Sequence, residues 1–309
     1  MTFPTDDQPE HPVPTPNPDQ PASVWGRAPS PVQAEQSSAN FPDQSNSPAL
    51  VVDHLSNYST AIPVAPPDPA WNGWDVLRLI FLTIVALFVG VFAVLFIARW
   101  RFFPHTPLGD IARIPLVVVA GQALAYLLIF GYMYILVTRE RGRPDFLAAI
   151  HWNWPSNLGI YVLAGFVLSV SLQVLAHFLP IPKDLPIDSF FRTPAEAWAL
   201  GLLSITLAPL MEELFFRGFL YPVLARGIGI PLGVFLTALA FALLHGAQLM
   251  FSWGPVLVIF LVGLVLTVVR AKTNSVAAGV VMHMAYNGTI TVAMYAATDG
   301  FRHLEKLNQ

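Results

Sequence analysis

The chain alternates between long apolar runs and short polar joints. Three windows, 79–98, 114–138 and 246–269, contain no Asp, Glu, Lys, Arg or His. Each meets or approaches the roughly 20 apolar residues that carry a helix across the hydrocarbon core of a bilayer. Backbone groups find no water there, so such runs must close their hydrogen bonds internally, as helices do. A transmembrane barrel would alternate polar and apolar residues in segments of about ten, and these runs do not alternate. The pattern predicts spans at 75–98, 114–137, 158–178, 196–225, 231–246, 253–271 and 275–296. The fourth is too long and too charged for one plain span. Pro209 lacks a backbone donor and breaks or kinks helices, which predicts two pieces, one ending near Pro209 and one carrying Glu212 and Glu213. Trp71, Trp74, Trp100, Trp152 and Trp154 fall near predicted span ends, where an interfacial aromatic belt places them.

The expectation is an all-α fold: a polytopic transmembrane helix bundle of about seven to eight spans behind a disordered Pro-rich N-terminal tail. Residues 1–70 hold 15 of the 28 prolines and few apolar runs. Such a segment cannot bury enough surface to offset the entropy of ordering it. It also lacks the basic and apolar regions of a signal peptide. The chain then divides into N-terminal transmembrane helices at 71–182, a core carrying the candidate chemistry at 183–297, and a C-terminal tail at 298–309.

Composition agrees with the membrane reading: 55% of residues are hydrophobic and 11% charged, against roughly 25% charged in soluble domains. The net charge of −3 carries no basic surplus, so nothing points to nucleic acid. The chain has no cysteine, which removes thiol catalysis, disulfides and cysteine-based metal sites together.

Against this background Glu212-Glu213-Leu214-Phe215-Phe216-Arg217 stands out. A charge at membrane depth costs about 2.5–3.5 kcal/mol on insertion scales and usually faces a partner or a water-filled cavity. Glu213 and Arg217 are spaced i, i+4, so they share a helix face and can pair. Glu212 lies about 100° around the helix, with no local cation, and is free to act as a general base. The plainer alternative is an ion cluster at a helix end outside the membrane. Two further polar clusters follow, Phe241-Ala242-Leu243-Leu244-His245 and His283-Met284-Ala285-Tyr286-Asn287. A lone histidine on an apolar helix is more often a satisfied structural residue than a catalytic one. Asn287 alone would serve as interhelical glue, among small neighbours that favour close packing. Taken together, a glutamate and a histidine can hold and deprotonate a water, while a second histidine and an asparagine can donate to an oxyanion. Gly-x-Ser-x-Gly and His-Glu-x-x-His are both absent, which argues against a serine hydrolase elbow and a zincin helix.

Glu-Glu-x-x-x-Arg, Phe-x-x-x-His and His-x-x-x-Asn, in that order over residues 185–295, resemble the type II CAAX prenyl endopeptidase family. This broad group also holds bacteriocin-processing and Abi-type membrane proteins (CPBP). The resemblance implies an intramembrane endopeptidase with its site in a cavity among helices. Glu212 and His245 would activate the water, His283 and Asn287 would form the oxyanion site, and Glu213, Arg217 and Phe241 would support them. It implies a peptide or protein substrate, with a lipidated C-terminus as the eukaryotic case, in contact with membrane lipids and without nucleic acid. A multi-pass protein of a prokaryotic cytoplasmic membrane is the expected setting. The family is often labelled metalloprotease. If zinc is bound, Glu212, His245 and His283 would hold it; because one glutamate pairs with arginine and Asn is a poor zinc ligand, metal-free water activation is favoured here. The competing readings are a non-catalytic scaffold or immunity protein of the same family, and a proton-coupled transporter.

Overall fold

The computed structural model describes residues 68–182, 186 and 191–308. The expected Pro-rich tail lies outside the described residues up to position 67, as does Lys183. Among the described residues there is no strand; the elements are helices α1 Gly73–Arg101, α2 Leu108–Ile111, α3 Pro115–Ile135, α4 Phe146–Ala149, α5 Leu158–His177, α6 Pro194–Ile205, α7 Leu207–Glu213, α8 Tyr221–Ile228, α9 Ile230–Leu244, α10 Trp253–Thr273 and α11 Val276–Ala297. Among the described residues six helical stretches are long and apolar enough to cross a membrane: 73–101, 115–140, 158–177, 194–228, 253–273 and 276–297. This is an integral membrane protein of transmembrane helices. The predicted span at 231–246 is the 15-residue helix α9. At 1.5 Å per residue it is about 22 Å long, short of the roughly 30 Å hydrocarbon core. Among the described residues the bundle thus has six full-length spans and α9 as a seventh, shorter apolar helix.

α1 starts on a capping box, with Asn72 as N-cap and Asp75 returning to its backbone. Asp75 also pairs with Arg141, and Arg78 meets Glu140 at 2.9 Å, so the start of α1 is tied to the end of α3. Where the two helices cross, Gly90 faces the backbone carbonyl of Gly121 with no room for a Cβ. Small residues at crossings allow such close approach, which drives helix association in lipid. The same device sets the centre of the molecule. Gly165 of α5 lies against the Met282 carbonyl of α11, one residue before His283. α11 is thereby held by α5 on one side and α10 on the other, while α9 packs against α10 and α8.

The segment 194–228 breaks as its proline requires. α6 begins on a second capping box, Thr193 with Glu196. It ends at Ile205, and Thr206 takes φ −114°, ψ −85°. Pro209 has no N–H for the Ile205 carbonyl, and its ring crowds the residue four back, so the break falls there rather than at Pro209 itself. α7 then carries Glu212 and Glu213 and widens into a π-helical turn, Leu214–Leu220, before α8. Gly229, at φ +86°, turns α8 into α9, a conformation that glycine adopts without a Cβ clash.

Beyond α11 the chain turns back. Phe301, in left-handed conformation at φ 62°, is 1% exposed. It sits 5.3 Å, ring to ring, from both Trp198 and Tyr295. The turn brings Leu304 to the edge of the cavity described next.

Candidate active site

A cavity of about 640 Å³ opens between α6, α7, α9, α10 and α11. Its polar lining includes Glu212, His245, His283, Asn287, Gln248 and Gln122. Leu200, Leu203, Ile259, Ile290, Met294 and Phe301 are among its apolar lining residues. The three motifs, separated by up to 75 positions in the chain, thus line one cavity.

The deepest layer is the ion pair. Glu213 and Arg217 are both fully buried, and Arg217 Nη1 donates to Glu213 Oε1 at 2.7 Å. Burying two charges is costly unless geometry and extra hydrogen bonds compensate. Here they do: Arg217 Nη2 donates to the Gly263 carbonyl at 2.9 Å and Nε to Thr267 Oγ1 at 3.2 Å. The Arg217 guanidinium also lies 4.8 Å from the centre of the Phe241 ring, a cation–π contact. Glu213 Oε1 takes a second donor, His283 Nδ1, at 3.0 Å.

Above this layer stands Glu212. Its carboxylate oxygens lie 3.8 Å from His245 Nε2 and 3.8 Å from His283 Nε2. The pairing follows from the helix: residues 213 and 217 face inward while 212, about 100° away, faces the cavity. Glu212 faces His245; Glu213 does not, and meets Arg217 and His283 instead.

The partners fix the tautomers. His245 caps the end of α9, and its Nδ1 lies 2.9 Å from the Phe241 carbonyl, one of the carbonyls left open at a helix C-terminus. A carbonyl only accepts, so Nδ1 of His245 carries hydrogen. Glu213 Oε1, which accepts from Arg217 Nη1, stands 3.0 Å from His283 Nδ1 and imposes the same there. In their neutral forms both imidazoles therefore turn a bare Nε2 toward Glu212. The 3.8 Å gaps are too long for direct hydrogen bonds, but one water can bridge them at about 2.8 Å to each side. Phe241 packs beneath both rings, with centroids 4.8 Å from His245 and 5.9 Å from His283.

Asn287 lines the cavity from α11. Its Nδ2 donates to the Ser204 carbonyl at 2.7 Å, a group at the broken end of α6. One N–H remains for the cavity. Asn287 thus ties α11 to α6 as well as lining the pocket.

As candidate zinc ligands, Glu212, His245 and His283 offer the right donor types, and their spacing does not suit the ion. Zinc bonds of about 2.0–2.1 Å in a tetrahedron put neighbouring donors about 3.3 Å apart, whereas Glu212 lies 3.8 Å from each imidazole Nε2. Among the described residues no group of three or more His, Cys, Asp or Glu side chains is placed to hold a metal ion.

Several contributing residues carried no sequence signal. Thr267 and Gly263 are an apolar helix's small residues until Arg217 is seen against them. Gln122, on α3, lines the cavity and donates to Tyr126 Oη at 2.7 Å. Gly279 is the least visible: a Cβ there would stand 2.6 Å from Glu213 Oε2, an oxygen that is buried without a hydrogen-bond partner. Gly279→Ala is accordingly expected to push the Glu213 carboxylate off His283 and Arg217. Activity at the site should fall by about tenfold or more, from one displaced buried hydrogen bond, with the helix content by circular dichroism unchanged. Activity within twofold of the parent would show that the carboxylate has room to move.

Residues 194–289 match a family model, type II CAAX prenyl endopeptidase Rce1-like. Over that segment the chain is similar to this family. The match begins at the first residue of α6 and ends within α11, so it takes in Glu212, Glu213, Arg217, Phe241, His245, His283 and Asn287. The matched segment leaves out α1, α3 and α5, and with them Gln122 and Gly165. No curated protein matches the chain, and no solved structure does.

Proposed function

We propose that this protein is an intramembrane endopeptidase that hydrolyses a peptide bond with water activated by Glu212. The observation that carries this reading is the Glu212 carboxylate, set 3.8 Å from each of two imidazole Nε2 atoms on a cavity wall. The Rce1-like match supports the reaction class.

In the proposed reaction, a water between Glu212 and His245 attacks the scissile carbonyl carbon. Glu212 takes one water proton as the C–O bond forms and the carbonyl becomes an oxyanion. That proton passes to the amide nitrogen as the oxyanion collapses and the C–N bond breaks, leaving a carboxylic acid, which keeps the water's second proton, and an amine. Preorganised donors at the oxyanion supply much of the acceleration in such reactions. Asn287 contributes its remaining N–H. His283 donates from Nε2 only when both ring nitrogens carry hydrogen, with Nδ1 facing Glu213 Oε1 at 3.0 Å. The apolar part of the cavity fits a substrate bearing a lipid or apolar side chains next to the cleaved bond, a lipidated C-terminus being one such case. The setting proposed is a prokaryotic cytoplasmic membrane.

Purified protein in detergent, given C-terminally lipidated peptides, should release a short C-terminal fragment detected by mass spectrometry. Prior treatment with a chelator should leave the rate within about twofold, because no step needs a Lewis acid. Loss of activity on chelation, restored by stoichiometric zinc, would overturn the metal-free mechanism. Identical peptide profiles with and without the protein would favour the scaffold reading instead.

A further inference from the structure

Arg270 of α10 is a buried cation of unusual placement. It is 3% exposed, and among the described residues no carboxylate lies within ion-pairing distance of it. Its guanidinium is instead spent on neutral acceptors. Nε donates to the backbone carbonyl of Arg217 at 3.2 Å, and Nη1 to Asn274 Oδ1 at 2.5 Å. Arg217 is the residue that braces Glu213, so the acceptor belongs to the motif itself.

The reason this carbonyl is available lies in the π-helical turn. In that turn each N–H bonds five residues back, and the N–H of Tyr221 goes to the Phe216 carbonyl. The next carbonyl in line, that of Arg217, would take the N–H of residue 222. Residue 222 is proline, which has none. A buried carbonyl without a donor is costly, and nearly all such groups find a partner. Arg270 Nε is that partner.

We propose that Arg270 is a positioning residue of the site, its Nε–H replacing the backbone donor that Pro222 removes and so holding the Arg217 turn in place. The effect is relayed through a continuous chain. Arg270 holds the Arg217 backbone; the Arg217 guanidinium holds Glu213 at 2.7 Å; Glu213 holds His283 Nδ1 at 3.0 Å; and His283 Nε2 faces Glu212 at 3.8 Å. π-Turns inside α-helices occur frequently at functional sites. In this chain the widened turn places Arg217 and creates the orphaned carbonyl that needs outside support. Arg270 touches no reacting atom, and its guanidinium is not replaced by any donor on its own helix.

The inference rests on the endopeptidase reading for its kinetic readout only. Arg270→Met keeps the apolar stem and removes the donor. It should lower kcat by about tenfold, the effect of one buried acceptor left open, and leave KM within about twofold. Pro222→Ala puts an N–H back where the carbonyl needs it. In that background Arg270→Met should cost less than about threefold, so the two sites couple rather than act independently. Arg270→Lys, whose ammonium can still donate to the carbonyl, should recover part of the loss. A double variant whose loss is the product of the two single losses overturns the proposal, as does a kcat unchanged in Arg270→Met. If the parent protein shows no cleavage at all, the endopeptidase reading has failed, and the positioning claim is then decided without it. In protein carrying ¹⁵N-labelled histidine, the His283 imidazole resonances, assigned by their loss in His283→Gln, should move in Arg270→Met and return in Arg270→Met/Pro222→Ala. Resonances that stay in place in Arg270→Met overturn it.

Discussion

Glu212→Gln is expected to lower cleavage by roughly 10²–10⁴-fold, the range for removal of a positioned general base, while the protein inserts, extracts and unfolds like the parent. Glutamine keeps the volume and the hydrogen-bonding reach of glutamate, so it still holds a water near His245 and His283. It does not take up the water's proton. Fold is spared because Glu212 has no arginine partner: its two close contacts are the 3.8 Å gaps to the imidazoles. The neighbouring Glu213, by contrast, is fully buried in an ion pair. Cleavage rate on a lipidated peptide and the unfolding temperature in detergent should therefore separate. A Glu212→Gln rate within about threefold of the parent would remove Glu212 from the role of base.

Glu213→Leu should have the largest effect on stability. It leaves the Arg217 guanidinium fully buried with only a carbonyl and a hydroxyl as partners, and breaking a buried pair from one side costs about 3–5 kcal/mol. It also strips His283 Nδ1 of its acceptor. These two consequences come apart in Glu213→Leu/Arg217→Met. Replacing a whole buried pair by apolar residues of similar volume is often neutral or better. The double variant should regain most of the unfolding temperature that the single one loses. Cleavage should stay low in both, because His283 remains unheld. Recovery of cleavage along with stability would show that Glu213 serves the fold alone and that His283 is oriented by something else.

The helical character and most of the span positions were legible in the sequence, because each apolar run is longer than a buried core helix needs and has only one way to satisfy its backbone in lipid. α9 lies where the apolar run predicts a helix, but is shorter than a full span. Its residues are apolar throughout, and composition alone does not tell a span from a shorter helix; Gly229 and His245 end it after 15 residues. The break in 194–228 was legible from Pro209, three residues from where it falls, because the cost of a proline is felt by the carbonyl four residues earlier.

Within the candidate site, local spacing determined what lies within one turn of helix. Glu213 pairs with Arg217, and Glu212 points elsewhere, since positions one apart on a helix diverge by about 100°. His245 and His283 were legible as polar residues in apolar helices. What the sequence could not determine were the contacts between helices, which depend on how α10 and α11 cross α7. Only the tertiary structure decided that Glu213 serves His283 as well as Arg217, and that Asn287 spends a hydrogen on Ser204. It alone decided that Gly279 is bare because a carboxylate occupies its Cβ position, and that Arg270 supplies the donor that Pro222 lacks. The physical reason is common to all four. Spacing along a chain fixes which side chains share a face, while hydrogen-bond accounting for buried groups depends on every group that the fold brings within about 3 Å.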